Sequence, residues 1–178
     1  MRLFGITILE PFTVLTNLLI ALACFYAYYG LKKKQLNQSF THRYIGYFFI
    51  LIGWATIIGG VVGHAFLYVT GLYGKIPGWY LSMAGVAAFE RAAIAHSRPL
   101  MHKNVGRFFS VLNIVEILTF MFLSIVKLNF LFVELHATYG LFVVVFCFEL
   151  YVYLKTKTAS FQYLLAATLF GFAAILCH

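Results

Sequence analysis

The residues able to do chemistry are few: the 178-residue chain holds five acidic residues, all glutamates, and six histidines. Glu10 opens the stretch "LEPFTVLTN", and His64 follows three glycines in "IIGGVVGHAFLY". A neutral imidazole accepts protons near neutral pH and is the commonest metal ligand. A carboxylate on its other nitrogen fixes its tautomer and orientation. In the helices set out below, Glu10, His64, Glu134, His136 and His178 fall toward one membrane face. That convergence predicts a polar or metal-binding pocket there. Glu90, Arg91, His96 and Glu149 fall toward the opposite face, with Glu116 near the middle of its helix. A charge at the centre of a membrane helix costs roughly 2.5–3.5 kcal/mol, so each is expected to face inward with a partner. Glu90 and Arg91 are neighbours that point in different directions on a helix, so Arg91 is expected to pair with Glu149 or Glu116. His42 and His102 lie beside basic clusters and read as solvated loop residues.

The elements that position these groups are membrane helices. Apolar residues make up 63% of the chain and charged residues 10%, against about 45–50% and 25% in soluble domains. Apolar windows long enough to cross roughly 30 Å of hydrocarbon recur along the whole length. The pattern predicts an all-α, polytopic integral membrane bundle of six helices forming one domain, 1–178, with spans near 7–31, 44–69, 77–96, 106–127, 130–154 and 159–177. The first run carries Glu10 and Pro11 and reads as a span, not as a cleaved signal peptide. The chain stops at "AAILCH" without a polar tail, which leans toward a fragment.

The net charge of +8 resides in short clusters between apolar runs, which excludes a nucleic-acid-binding stripe and points to topology signals. Lys32, Lys33, Lys34, Arg43, Arg98, Lys103, Arg107, Lys155 and Lys157 share one side, against Arg2, Lys75 and Lys127 on the other. The positive-inside rule then puts the N-terminus outside and the lysine-rich loops in the cytoplasm, in a plasma (inner) membrane. Tyrosines such as Tyr28, Tyr44 and Tyr151 gather at the basic ends, as an aromatic belt does. Cys24, Cys147 and Cys177 lie far apart, so neither a thiolate zinc site nor a disulfide framework is indicated.

Two stripes lead to the pocket. Glu10, Thr13, Asn17 and Cys24 share one helix face, as do Gly53, Thr56, Gly60 and His64 on the next helix. Gly59 and Gly63 have GxxxG spacing, so His64 has a competing explanation as a packing residue bonded to a neighbouring helix. The pocket reading requires a His64 ring nitrogen within about 8 Å of a Glu10 carboxylate oxygen, the reach of one bridging water or metal. Glu134 and His136, two residues apart, do not share a face, which leaves the role of His136 open.

"LEPFTVLTN" followed by "GGVVGH" resembles the seven-helix CREST membrane hydrolases, the group of alkaline ceramidases and progestin/adipoQ receptors. The resemblance implies zinc-assisted hydrolysis of a lipid amide or ester, with Glu10 as the catalytic glutamate and His64 as a zinc ligand. His178 would begin a late histidine motif that continues, with a seventh helix, beyond this sequence. His136 is a third candidate ligand, and membrane lipid is the implied partner. The chain departs from the family pattern where Gly60 stands for the serine, and it has no aspartate and no His-x-x-x-His. Two other readings stand beside this one. A b-type haem would need His64 facing His136 or His178, and a non-catalytic transport or assembly protein would need no site at all.

Overall fold

Pro11 sets where the first long helix begins, because a helix's first turn does not need the N–H that proline lacks. Glu10 precedes it, its carbonyl accepting from Val14 N at 3.0 Å. Helix α1 runs Pro11–Lys34, starting later than expected because residues before it pair as two short antiparallel strands, β1 (Arg2–Leu3) and β2 (Ile6–Thr7). The computed structural model describes residues 2–3, 6–34, 39–157, 162–163, 166–167 and 169–170.

Helix α2 (Phe40–Ile57) starts a turn earlier than the apolar pattern suggests, because Ser39 caps it by accepting from His42 N. His42 also meets Ser39 Oγ at 2.7 Å, so it belongs to a helix cap and not to a free loop. The helix widens into a π-helical segment, Ile58–Ala65, and after Phe66 continues as α3 (Leu67–Thr70). Gly71 at φ 59° turns the chain, and a 3-10 turn, Leu72–Lys75, leads into α4 (Ile76–Ser97). His102 caps α5 (Lys103–Val126) by accepting from Asn104 N. After a turn, one continuous helical run comprises α6 (Leu131–Thr138), a second π-helical segment, Tyr139–Val145, and α7 (Phe146–Thr156). Described residues of the sixth expected span, 162–163, 166–167 and 169–170, are helical.

Helix α4 is the hub, packed most extensively against α2 and also against α5, α7 and the second π segment. Its small residues allow this: Ala87, Ala88, Ala92 and Ala93 are buried, and a Cβ on Gly78 would lie 3.0 Å from Gly59 Cα. Trp79 and Met83 on α4 join Val133 on α6 in an apolar cluster. The outer faces are apolar too, with Phe12, Leu15, Leu19 and Leu22 of α1 and Phe108, Val111, Leu118 and Phe122 of α5 exposed. Hydrocarbon is the solvent such faces suit, and helices satisfy their own backbone in it. Among the described residues, four helical stretches are long and apolar enough to cross a membrane: Pro11–Lys34, Phe40–Ala65, Lys103–Val126 and Leu131–Thr156. Helix α4, which carries Glu90 and Arg91, packs against α2, α5 and the Leu131–Thr156 run.

Candidate functional site

The two sequence stripes face each other across α1 and α2. From one end to the other, Gly53 faces Phe25, Gly60 faces Asn17 and His64 meets Glu10. The close approach depends on glycine: a Cβ on Gly60 would collide with Asn17 Cβ and lie 3.0 Å from its Cγ. Asn17 is held in place by its own bond from Nδ2 to Thr13 O at 2.8 Å. Packing and site are therefore one arrangement, since the glycine face brings the start of α1 against the π segment that carries His64.

His64 Nδ1 lies 2.8 Å from Glu10 Oε2, inside the distance the pocket reading requires. A carboxylate accepts, so Nδ1 carries the proton and Nε2 is left as the ring's acceptor. The hydrogen bond from His64 holds the Glu10 carboxyl below the ordinary carboxylate range, against partial desolvation, and the charges of His64 and Lys75 act in the same direction. His64 borders a cleft of about 370 Å³ together with Lys75, Trp79, Asn129 and Phe130. Gly63 admits Lys75 to it, since a Cβ there would lie 2.9 Å from Lys75 Cγ. The cleft thus combines an oriented base, a cation, a carboxamide and aromatic walls.

His136 does not join this group. It is fully buried against Phe120, with Nε2 3.5 Å from Glu116 Oε1. Ligand atoms of Glu90, Glu116 and His136, one from each, all lie within 4.8 Å of one another. Helix α6 therefore delivers its histidine to α4 and α5, and His64 and His136 are not brought together. His178 lies outside the described residues. Among the described residues the cleft is lined by one imidazole, His64, and Glu10 is bonded to that ring from beside the cleft. The arrangement holds a base oriented by a carboxylate.

Arg91 pairs with neither expected glutamate. Its Nε donates to Asn113 Oδ1 and its Nη2 to Ser110 O, both at 2.7 Å. Asn113 Nδ2 in turn donates to Glu90 Oε2 at 2.9 Å. Glu149 instead takes His96, whose Nδ1 lies 2.9 Å from both carboxylate oxygens. Sequence reasoning missed the meeting of Glu90, Glu116 and His136. The available signal was that Glu90, Glu116 and Glu149 had only one intramembrane arginine among them.

No curated protein and no solved structure matches the chain. Residues 12–178 match the sequence profile of the family of unknown function DUF6962, a span that includes His64 and the interior Glu90–Glu116–His136 group and begins two residues after Glu10. A match over nearly the whole chain places this protein in that family.

Proposed function

We propose that the chain is an integral membrane hydrolase that cleaves an ester or amide bond of a membrane lipid at the Glu10–His64 cleft. The observation that carries this reading is the 2.8 Å contact between His64 Nδ1 and Glu10 Oε2 beside a cleft at a helix-bundle end. In the proposed reaction, His64 Nε2 takes a proton from water as its oxygen attacks the lipid carbonyl. The imidazolium then gives that proton to the departing alcohol or amine. Glu10 stabilises the imidazolium, and Lys75 and Asn129 face the developing oxyanion. The nine-to-three bias of basic residues supports an outward-facing cleft and a cytoplasmic lysine-rich end. The haem reading has no comparable support, since His64 faces Glu10 and His136 faces Glu116.

The test is a lipid panel. Detergent-purified protein is reconstituted with defined ester and amide lipids, and released fatty acid is measured by mass spectrometry. Removing a positioned acid–base group typically costs 10²–10⁴-fold, so His64→Ala should fall at least about 100-fold below the parent. Equal release from both chains, or none from either across the panel, would overturn the proposal.

A further inference from the structure

We infer that Glu90, Glu116 and His136 form a binding site for a divalent transition-metal cation of the zinc and manganese class inside the bundle. This inference is independent of the Glu10–His64 reading. The first observation is the convergence of three helices: Glu90 comes from α4, Glu116 from α5 and His136 from α6, with one ligand atom of each within 4.8 Å of the others. The second is that the group is incomplete as a hydrogen-bonded structure. Glu90 Oε1, both Glu116 carboxylate oxygens and both His136 ring nitrogens are buried without a hydrogen-bond partner. His136 and Glu90 are 0% exposed and the Glu116 side chain 9%. A buried polar atom without a partner typically costs about 1–3 kcal/mol, more for a charged group. One such atom from each of the three residues converges on a common point, and that convergence calls for an occupant.

Charge and distance say what kind. Two carboxylates share the site, and the nearest arginine is committed elsewhere, to Asn113 and Ser110. A divalent cation neutralises the pair. A proton shared between the carboxylates would satisfy them but not the histidine, because the 3.5 Å from His136 Nε2 to Glu116 Oε1 is too long for a good hydrogen bond. That distance does suit two ligands of one metal, since tetrahedral ligands at about 2.1 Å from zinc lie about 3.4 Å apart. Two carboxylates with one imidazole form an oxygen-rich set with borderline nitrogen, which manganese and zinc accept and copper(I) does not. The protein also makes room for it. The second π segment brings Gly140 against Glu90, where a Cβ would collide with Glu90 Oε1. Asn113, itself fixed by Arg91, holds the other Glu90 oxygen, so one oxygen is tethered and one is left without a partner. Tethering a ligating carboxylate through a fixed neighbour is how metal centres orient their ligands.

The experiment uses the full chain in detergent and in nanodiscs, stripped with chelator and dialysed against zinc or manganese. Metal per chain is counted by mass spectrometry, and the zinc-loaded chain is examined by X-ray absorption. Near one metal per chain is expected, with a first shell of light atoms that includes a single imidazole. Glu116→Gln and His136→Gln should each weaken binding roughly 100-fold, while His64→Ala leaves it unchanged. Thermal melts of the metal-free variants show that they fold. Metal uptake retained in both interior variants, uptake lost in His64→Ala instead, or no uptake by the parent in either environment would overturn the inference.

Discussion

A side chain added at Gly60 has nowhere to go. Its Cβ would meet Asn17 Cβ and Cγ, the latter at 3.0 Å, where carbon atoms pack at about 3.5–4.0 Å. Asn17 cannot rotate away cheaply, because its amide is bonded to Thr13 O. Gly60→Leu therefore forces α1 away from the π segment of α2, and overpacking of this kind typically costs about 1–3 kcal/mol for extra methylenes and more where backbone must move. Leu51→Ala on the same helix removes a half-buried side chain and opens space instead. It should cost about 1–2 kcal/mol, below the range for fully buried leucines. Taking about 3 kcal/mol for Gly60→Leu and about 1.5 kcal/mol for Leu51→Ala, at about 2–4 °C per kcal/mol for a chain of this size, Gly60→Leu should melt roughly 6–12 °C below the parent and Leu51→Ala roughly 3–6 °C below it. The assay is thermal unfolding in detergent followed by the loss of the monodisperse peak on size exclusion. Because the same contact brings Glu10 to His64, Gly60→Leu should also abolish lipid turnover at temperatures where it is still folded. A Gly60→Leu chain that melts with the parent would refute the close-packing argument and the positioning argument built on it.

The Glu10 contact should show in acid: its carboxyl is depressed below the ordinary 4.5, so its stabilisation is full above that value and is lost as pH falls through the lower folded value. Melts of parent and Glu10→Gln across pH 3 to 7 should therefore differ at neutral pH and converge in acid, and a constant difference would contradict the assignment. Arg91→Ala leaves Asn113 Oδ1 and Ser110 O without their donor, a loss of about 1.5–3 kcal/mol per charge-assisted bond. It should lower the melting temperature more than Lys33→Ala at the exposed end of α1, and equal melts would count against the network. A cysteine replacing Lys33 should resist an impermeant thiol reagent added to intact cells, and ready labelling would reverse the proposed orientation.

The legible part of the fold was what composition and period carry. Apolar runs placed the spans, and the i, i+3, i+7 stripes of α1 and α2 correctly anticipated that Glu10 and His64 would meet. The illegible part came from departures from a uniform helix. Both π segments interrupt stretches read as continuous, and an extra residue in a turn rotates every side chain beyond it. Depth counting also failed at the interior group. Glu90 lies about 21 Å along α4 from Ile76, whereas His136 lies only about 7.5 Å along α6 from Leu131, at 1.5 Å per residue. They meet nonetheless, so the starts of α4 and α6 do not lie level, and counting residues from each helix start does not compare depth between helices. Arg91 was matched to carboxylates because charge suggested it, but a neutral asparagine and a backbone carbonyl supplied the geometry instead. The capping roles of Ser39 and His102 were hidden among basic loop residues.

The most direct test of the Glu10–His64 assignment is a double-mutant cycle on lipid turnover by the reconstituted protein, using the parent, Glu10→Gln, His64→Ala and the pair. Groups that act as a unit are strongly non-additive. If Glu10 works only by holding and stabilising the His64 imidazole, the double variant should be no slower than His64→Ala alone, with that single variant at least about 100-fold below the parent. Losses that simply multiply, or a His64→Ala chain that turns lipid over at the parent rate, would contradict the assignment and leave His64 as a packing residue.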